Sequence, residues 1–260
     1  MTDNAEGLTL TGERTLPGIW HENYWFRRHE ATYLFAARQL GHSARTVVLE
    51  AGSGEGYGTE ILAAAAGGPR RTVVAVDYDQ ATTAHLARRY PRALVVRGNL
   101  VALPLGGGSV DAVVSLQTVE HLWDQPGFAA QCARVLRPGG LLVVSTPNRL
   151  TFSPGLGRGE RPANPFHANE MDADELLALV ATVCPDLQLF GVHPGRRIAA
   201  YQAQWGPLVP ALMAAGHPSW PDHLASFVRS VRADDFDVAA DGAATPLDES
   251  LDLVAVGRTR

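Results

Sequence analysis

The segment Thr46-Val47-Val48-Leu49-Glu50 runs straight into glycines at 52, 54, 56 and 58, and few folds accommodate that junction. A β-branched apolar run ending in a glycine turn is a buried strand. The glycines let the backbone turn sharply and approach a ligand without a Cβ in the way, with the N-terminus of the next helix behind them. The alternation then continues. Tyr57 to Ala66 reads as a helix closed by Gly67-Gly68-Pro69, Val73–Asp77 as a second strand, and Ala81–Arg89 as a helix stopping before Pro91. Ala93–Val96 and Val110–Val114 are further strands; a helix over Phe128–Leu136 ends at Arg137-Pro138-Gly139-Gly140, and Leu141–Val144 is the fifth strand. Apolar strands separated by helices imply an α/β fold, a doubly wound parallel sheet covered on both faces.

Three regions stand outside that alternation. Residues 1–43 carry the aromatic and basic run Asn23-Tyr24-Trp25-Phe26-Arg27-Arg28-His29 and an amphipathic helix, a candidate lid. Residues 146–170 are too rich in Pro and Gly, and too long, for a plain connector. Residues 196–247 form an insertion between two late strands, Leu187–Val192 and Leu251–Val256, and hold Tyr201, Trp205 and Trp220. The expected organisation is thus 1–43 lid and helix, 44–195 core, 196–247 insertion, and 248–260 last core strand.

Composition narrows the function classes. A net charge of -5 with dispersed arginine doublets argues against nucleic acid. No apolar run reaches the ~18–20 residues that span a bilayer, and the acidic start lacks a signal-peptide pattern, so the expected location is cytoplasmic, with no membrane partner. Cys132 and Cys184 have no CxxC companion and read as small buried hydrophobes.

A glycine-rich loop alone also suits dinucleotide folds. Glu50 separates the two readings: a carboxylate ending the first strand repels a pyrophosphate but suits the α-ammonium of a methionine moiety. The spacing Glu-x-Gly-x-Gly-x-Gly also departs from Gly-x-Gly-x-x-Gly, because Thr59 takes the third glycine's place. Asp77 ends the second strand, where a carboxylate accepts ribose hydroxyls. Asn99-Leu100 follows the third strand and could hold an adenine between an amide and an apolar side chain.

Residues 46–145 resemble the class I S-adenosylmethionine-dependent methyltransferase core. The likeness is carried by Val47-Val48-Leu49-Glu50-Ala51-Gly52-Ser53-Gly54-Glu55-Gly56-Tyr57-Gly58, by Asn99–Leu105 with Ser109-Val110-Asp111, and by Arg134–Gly140. Asn99 stands where the family more often has aspartate. The resemblance implies a Rossmann-like seven-stranded sheet with its last strand, Leu251–Val256, antiparallel. It implies S-adenosyl-L-methionine as cofactor, held by Glu50, Gly52, Ser53, Gly54, Gly56, Asp77, Tyr78, Asn99, Leu100 and Gln117, with Tyr24 and Arg28 reaching in from the lid. Further segments narrow the likeness: Leu10–Arg14, Glu22–His29, Glu120-His121-Leu122-Trp123-Asp124, Ser145–Arg149 and Asn164–His167, with Leu251-Asp252-Leu253. Together they resemble the actinobacterial methyltransferases of methylmannose polysaccharide synthesis. That likeness implies methylation of a mannoside hydroxyl, O1 of a 3-O-methylated 4-linked mannose oligosaccharide. Magnesium-dependent enzymes occur in this group.

A sugar hydroxyl is a weak nucleophile until it loses its proton, so the reaction wants a general base. Histidine, with an ordinary pKa of ~6.5, suits that task. His121 is one candidate, with Glu120 to set its tautomer; alternatively the pair caps its loop and packs on adenosine. His167 is another, unless it only orders a loop ahead of a helix capped by Asn169 or Asp172. Glu120, His121, Asp124, His167 and Glu170 could also hold Mg²⁺, with the ligands unassigned. In the lid, Tyr24 and Arg28 share a face, Trp25 and Phe26 point inward, and Glu13-Arg14 anchor the segment. Tyr201, Trp205 and Trp220 line a saccharide groove or bury a homodimer contact. The rivals are a phenolic or quinone-like acceptor, an NAD-dependent oxidoreductase, and a non-catalytic cofactor-binding regulator.

Overall fold

The computed structural model describes residues 8, 14–41, 46–64, 71–214, 216–242 and 245–260. Helix α1 (Asn23–Gln39) precedes the first strand, β1 (Val47–Ala51), which turns through the glycines into α2 (Tyr57–Ala63). Then follow β2 (Thr72–Asp77), α3 (Gln80–Arg89), β3 (Leu94–Arg97), β4 (Val110–Leu116), α4 (Gln125–Val135), β5 (Leu136–Pro147), the short α5 (Arg149–Phe152), α6 (Ala173–Ala181) and β6 (Asp186–Pro194). The chain continues through α7 (Arg196–Trp205), α8 (Leu208–Ala214), α9 (Asp222–Ser230) and β7 (Phe236–Ala240), and ends in β8 (Asp252–Arg258). Ala66, expected in the second helix, and Glu13, the expected anchor, lie outside the described residues.

One sheet runs in the order β3-β2-β1-β4-β5-β8-β6-β7. The first five strands pair parallel, and β8 slots between β5 and β6, antiparallel to both. The strand expected over 251–256 therefore takes the antiparallel place. The sheet has eight strands rather than seven. β7, from within the insertion, pairs antiparallel with β6 from Phe190↔Ala240 to Pro194↔Phe236 and covers what would have been the edge.

Alternate side chains feed two cores, as a sheet covered on both faces requires. Val48, Ala112, Val114, Leu141 and Val143 face a cluster containing Tyr24, Phe35, Ile198, Leu208 and Val228. Leu49, Val113, Leu142 and Val144 face Phe128, Cys132, Leu176 and Cys184; both cysteines are free and buried.

Residues 196–247 pack against the start of α1. Asn23 Nδ2 donates to Val228 O and Val231 O at 2.8 and 2.9 Å, the Arg229 guanidinium sits 3.6 Å over Trp20, and His21 stacks on His217 at 3.8 Å. Arg149 ties the 153–170 stretch to α6: Nη1 donates to Leu156 O, and Nη2 reaches both Asp172 and Glu175 of the α6 capping box. Among the described residues, no helix is long and apolar enough to cross a membrane.

Candidate active site

Two cavities meet at the carboxyl ends of β1, β2 and β4. The first, a cleft of about 780 Å³, is lined by Gly52, Ser53, Gly54, Asp77, Tyr78, Asn99, Leu100, Gln117 and His121. The topology explains the convergence: each residue follows a parallel strand, and open α/β sheets bind ligands there. Leu8, Arg14, Thr15, His29 and Tyr33 close the cleft from the N-terminal side. Arg14 is fixed by a 2.6 Å bond to Thr82 Oγ1, and Asp79 lies 3.8 Å away.

The glycine loop is built from its neighbours. Asp77 Oδ2 accepts from Gly54 N at 3.0 Å and Oδ1 from Asp79 N at 3.0 Å, so the second strand's carboxylate shapes the loop of the first. Burial raises the pKa of Asp77, opposed by those two amides and by Arg14. Glu55 is gripped from α3 by His85 Nε2 at 3.0 Å and by the Tyr90 hydroxyl at 2.9 Å. Neither partner carries a local motif, and composition gave no signal for them.

Four residues expected at the cofactor, Glu50, Gly56, Tyr24 and Arg28, do not line this cleft. Glu50 is buried behind the loop, 1% exposed, and does not line the cleft. Thr59 donates to its Oε2, and burial pushes the carboxyl up to about 8 against the hydrogen bonds of Thr59 and Tyr33. Gly56 likewise sits behind the loop, against Leu86 and Tyr90. Tyr24 is fully buried against Phe236, ring centroids 5.3 Å apart, and lines neither cavity. The helical phase of α1 is the cause: Tyr24 turns to the core while Trp25, expected inward, faces a cavity.

Arg28 lines the second cavity, of about 520 Å³, together with Glu22, Trp25, Glu120, Phe152, Asn164, His167 and Glu170. Arg14, Thr15, His29, Gln117 and His121 line both cavities and form the wall between them. Gln117 is, among the described residues, the one non-glycine with positive φ, 51°, a backbone state that costs energy and clusters at functional sites.

The two base candidates differ in what their ring nitrogens do. His121 Nδ1 is 2.9 Å from Phe166 O. A carbonyl only accepts, so Nδ1 carries the proton and Nε2 presents its lone pair, 3.9 Å from Glu120 Oε1. His167 is saturated: Nδ1 meets Glu170 Oε1 at 2.6 Å, and Nε2 takes the Asn164 amide at 3.0 Å. Asn164 cannot reverse, since its Oδ1 already accepts from Phe166 N at 3.0 Å. Glu120 is 1% exposed, and burial raises its carboxyl to about 7 against the pull of His167.

Ligand atoms of Glu120, His121 and His167 lie within 4.8 Å of one another. Asp124 does not join them; it caps α4, accepting from Gly127 N at 2.8 Å. Glu170 serves His167. Tyr201 stacks on Phe227 and Trp205 on His223, each at 4.0 Å, while Trp220 packs on Trp20. None of those three aromatics lines either cavity.

Comparison with known proteins agrees with this geometry. A family model described as a methyltransferase domain matches residues 49–144. The chain is 48% identical to the probable S-adenosylmethionine-dependent methyltransferase of Mycolicibacterium smegmatis, over 98% of this chain and 97% of that protein. Its identity to a probable S-adenosylmethionine-dependent methyltransferase of Mycobacterium tuberculosis is 47%, over 96% and 89%. In fold it is similar to the S-adenosylmethionine-dependent methyltransferase of Thermotoga maritima, with TM-score 0.59 at 19% identity over 94% and 96% of the two chains. With likeness at this level running almost from end to end, the chain belongs to the S-adenosylmethionine-dependent methyltransferases.

Proposed function

We propose that the chain transfers a methyl group to a sugar hydroxyl, with His121 as general base. The observation that carries this reading is the open Nε2 lone pair of His121 in the wall shared by the two cavities. S-adenosylmethionine supplies an electrophilic methyl on a sulfonium. The chain's part is to hold an acceptor oxygen in line with it, which can be worth up to ~7–11 kcal/mol, and to take the hydroxyl proton on His121 Nε2 as the oxygen–carbon bond forms and the carbon–sulfur bond breaks. The resulting imidazolium lies beside the Glu120 carboxyl.

The second cavity supports a polyhydroxyl acceptor. Trp25 and Phe152 offer ring faces, and Glu22, Asn164 and Glu170 offer polar groups of both senses. The motif segments at 22–29, 120–124 and 145–167 resemble those of methylmannose polysaccharide methyltransferases, which makes O1 of a 3-O-methylated 4-linked mannose oligosaccharide the acceptor of choice. Mg²⁺ fits less well. The Glu120, His121 and His167 group offers two imidazoles and one carboxylate, whereas Mg²⁺ takes oxygen ligands.

Labelled cofactor incubated with 3-O-methylated mannobiosides and with phenolic acceptors tests the acceptor class. The expected outcome is label in the mannosides. Label in phenols alone refutes the sugar reading, and local likeness to ubiquinone biosynthesis O-methyltransferases, 54% identity over 39 residues in one from Bradyrhizobium, makes phenols the proper control. His121→Ala should lower kcat by roughly 10²–10⁴ while His167→Ala, whose lone pair is already used, costs less.

A further inference from the structure

We propose that Arg28 anchors the acceptor: paired with Asp252 into a neutral unit, it donates to an oxygen of an uncharged acceptor in the second cavity. This rests on reading that cavity as the acceptor site. The guanidinium is buried, 5% exposed, and lies 5.0 Å from the Trp25 ring and 4.9 Å from the Phe152 ring. Its Nε is 3.2 Å from Asp252 Oδ2 and its Nη2 is 3.3 Å from His29 Nε2. Nη1 has no hydrogen-bond partner among the described residues, Nε has none beyond the Asp252 ion pair, and the residue lines the cavity.

Buried donors without partners are costly and call for an explanation. A structural ion pair alone does not supply one. A group present only to neutralise Asp252 has no need of two adjoining aromatic rings packed on it or of a place on a cavity wall. A ligand oxygen in that cavity would satisfy the orphaned donor, and the rings would pack against the apolar face of the same ligand.

Charge decides which oxygen. Asp252 is fully buried and cancels the guanidinium, so the anchor recognises by hydrogen bonding rather than by net attraction. Burial pulls the Asp252 carboxyl up to about 6, opposed first by the Arg28 charge and then by the Gln117 side chain. Glu22, Glu120 and Glu170 line the same cavity, so a carboxylate-bearing acceptor would meet repulsion. A hydroxyl, ether or ring oxygen would not.

The test uses the full chain and three variants. Arg28→Lys keeps the charge but loses the forked donor; Arg28→Met with Asp252→Leu removes the pair without leaving a buried lone charge; Asp252→Asn leaves the anchor net positive. S-adenosylhomocysteine affinity is measured by calorimetry, and kcat and KM with whichever acceptor the wild-type chain methylates. The expected result is cofactor affinity within about threefold throughout, and acceptor kcat/KM lower by roughly 10–100-fold in the first two variants, mainly through KM. Asp252→Asn should raise the preference for a mannuronoside over the matching mannoside at least about tenfold, a change that a merely structural pair would not produce. The proposal is overturned if cofactor affinity falls in parallel with kcat/KM, or if the folded double variant keeps the wild-type KM. Methylation of phenols and no sugar ends the sugar reading alone, since Arg28 is then judged on the phenol. If the cofactor-loaded chain neither binds nor methylates any of these, the cavity is not an acceptor site and the anchor falls with it.

Discussion

At the scale of single residues, the glycines after β1 do unlike jobs, and the structure separates them. Gly54 has φ +52° and open space where a Cβ would stand, on the wall of the cleft. Gly58 is crowded: a Cβ there would overlap the Tyr33 ring and the Glu50 carboxyl. Gly54→Ala should therefore keep the unfolding midpoint within the ~1–2 kcal/mol that left-handed backbone costs a non-glycine, yet weaken S-adenosylhomocysteine binding about tenfold or more. Gly58→Ala should destabilise by roughly 1–3 kcal/mol through overpacking. Denaturant titration beside calorimetry reads both, and the opposite ordering would refute the assignment of roles. The sequence showed where the loop would be, because glycine spacing is a local signal. It did not show that Glu50 would retreat behind that loop to Thr59, nor that Glu55 would be held by His85 and Tyr90 from α3, because those contacts depend on how separate helices pack.

At the scale of elements, the parallel half of the sheet was legible, and the antiparallel half only partly so. β1 to β5 are apolar runs set off by turn residues or helix signals nearby, and β8 was visible as a late apolar run. β7 was not: Phe236-Asp237-Val238-Ala239-Ala240 has only two strongly β-forming residues, and it becomes a strand by pairing with β6 rather than by propensity. The junction of α1 with the insertion was hidden too. Asn23 Nδ2 bridges Val228 O and Val231 O at the end of α9, where a helix leaves carbonyls without partners. Asn23→Ala should cost roughly 1–2 kcal/mol, seen as a lower denaturation midpoint. Asn23→Asp should be no better, since a carboxylate cannot donate; a rescue by aspartate would show that the bridge is not the cause.

At the scale of the whole molecule, titratable groups buried around the two cavities set opposing slopes of stability against pH. Glu50 is raised to about 8, Glu120 to about 7 and Asp252 to about 6, each chiefly by burial. A carboxyl whose folded pKa is raised contributes stability fully below its unfolded value, and that stability is lost as pH rises through the folded one. These three therefore weaken the fold progressively from about pH 4 to about pH 8. His29 and His193 work the other way. Burial lowers both, with Arg28 adding to the effect on His29. Their neutral forms are at home in the fold above the ordinary histidine pKa of ~6.5, and stability is lost as pH falls below it. The two slopes oppose each other between about pH 4.5 and 6.5, and above that range the carboxyls act alone, so the cofactor-free protein should lose stability there. Between pH 6.5 and 8.5 the loss should amount to roughly 1–4 kcal/mol, most of it from Glu50, whose titration spans that whole window. Urea titrations at half-unit pH steps would trace the curve. Glu50→Gln should flatten its alkaline limb and leave the acid limb in place, because the histidines are untouched. An alkaline limb unchanged in that variant would mean that Glu50 is already ionised in the fold at neutral pH, its charge held by Thr59 and Tyr33 against the cost of burial.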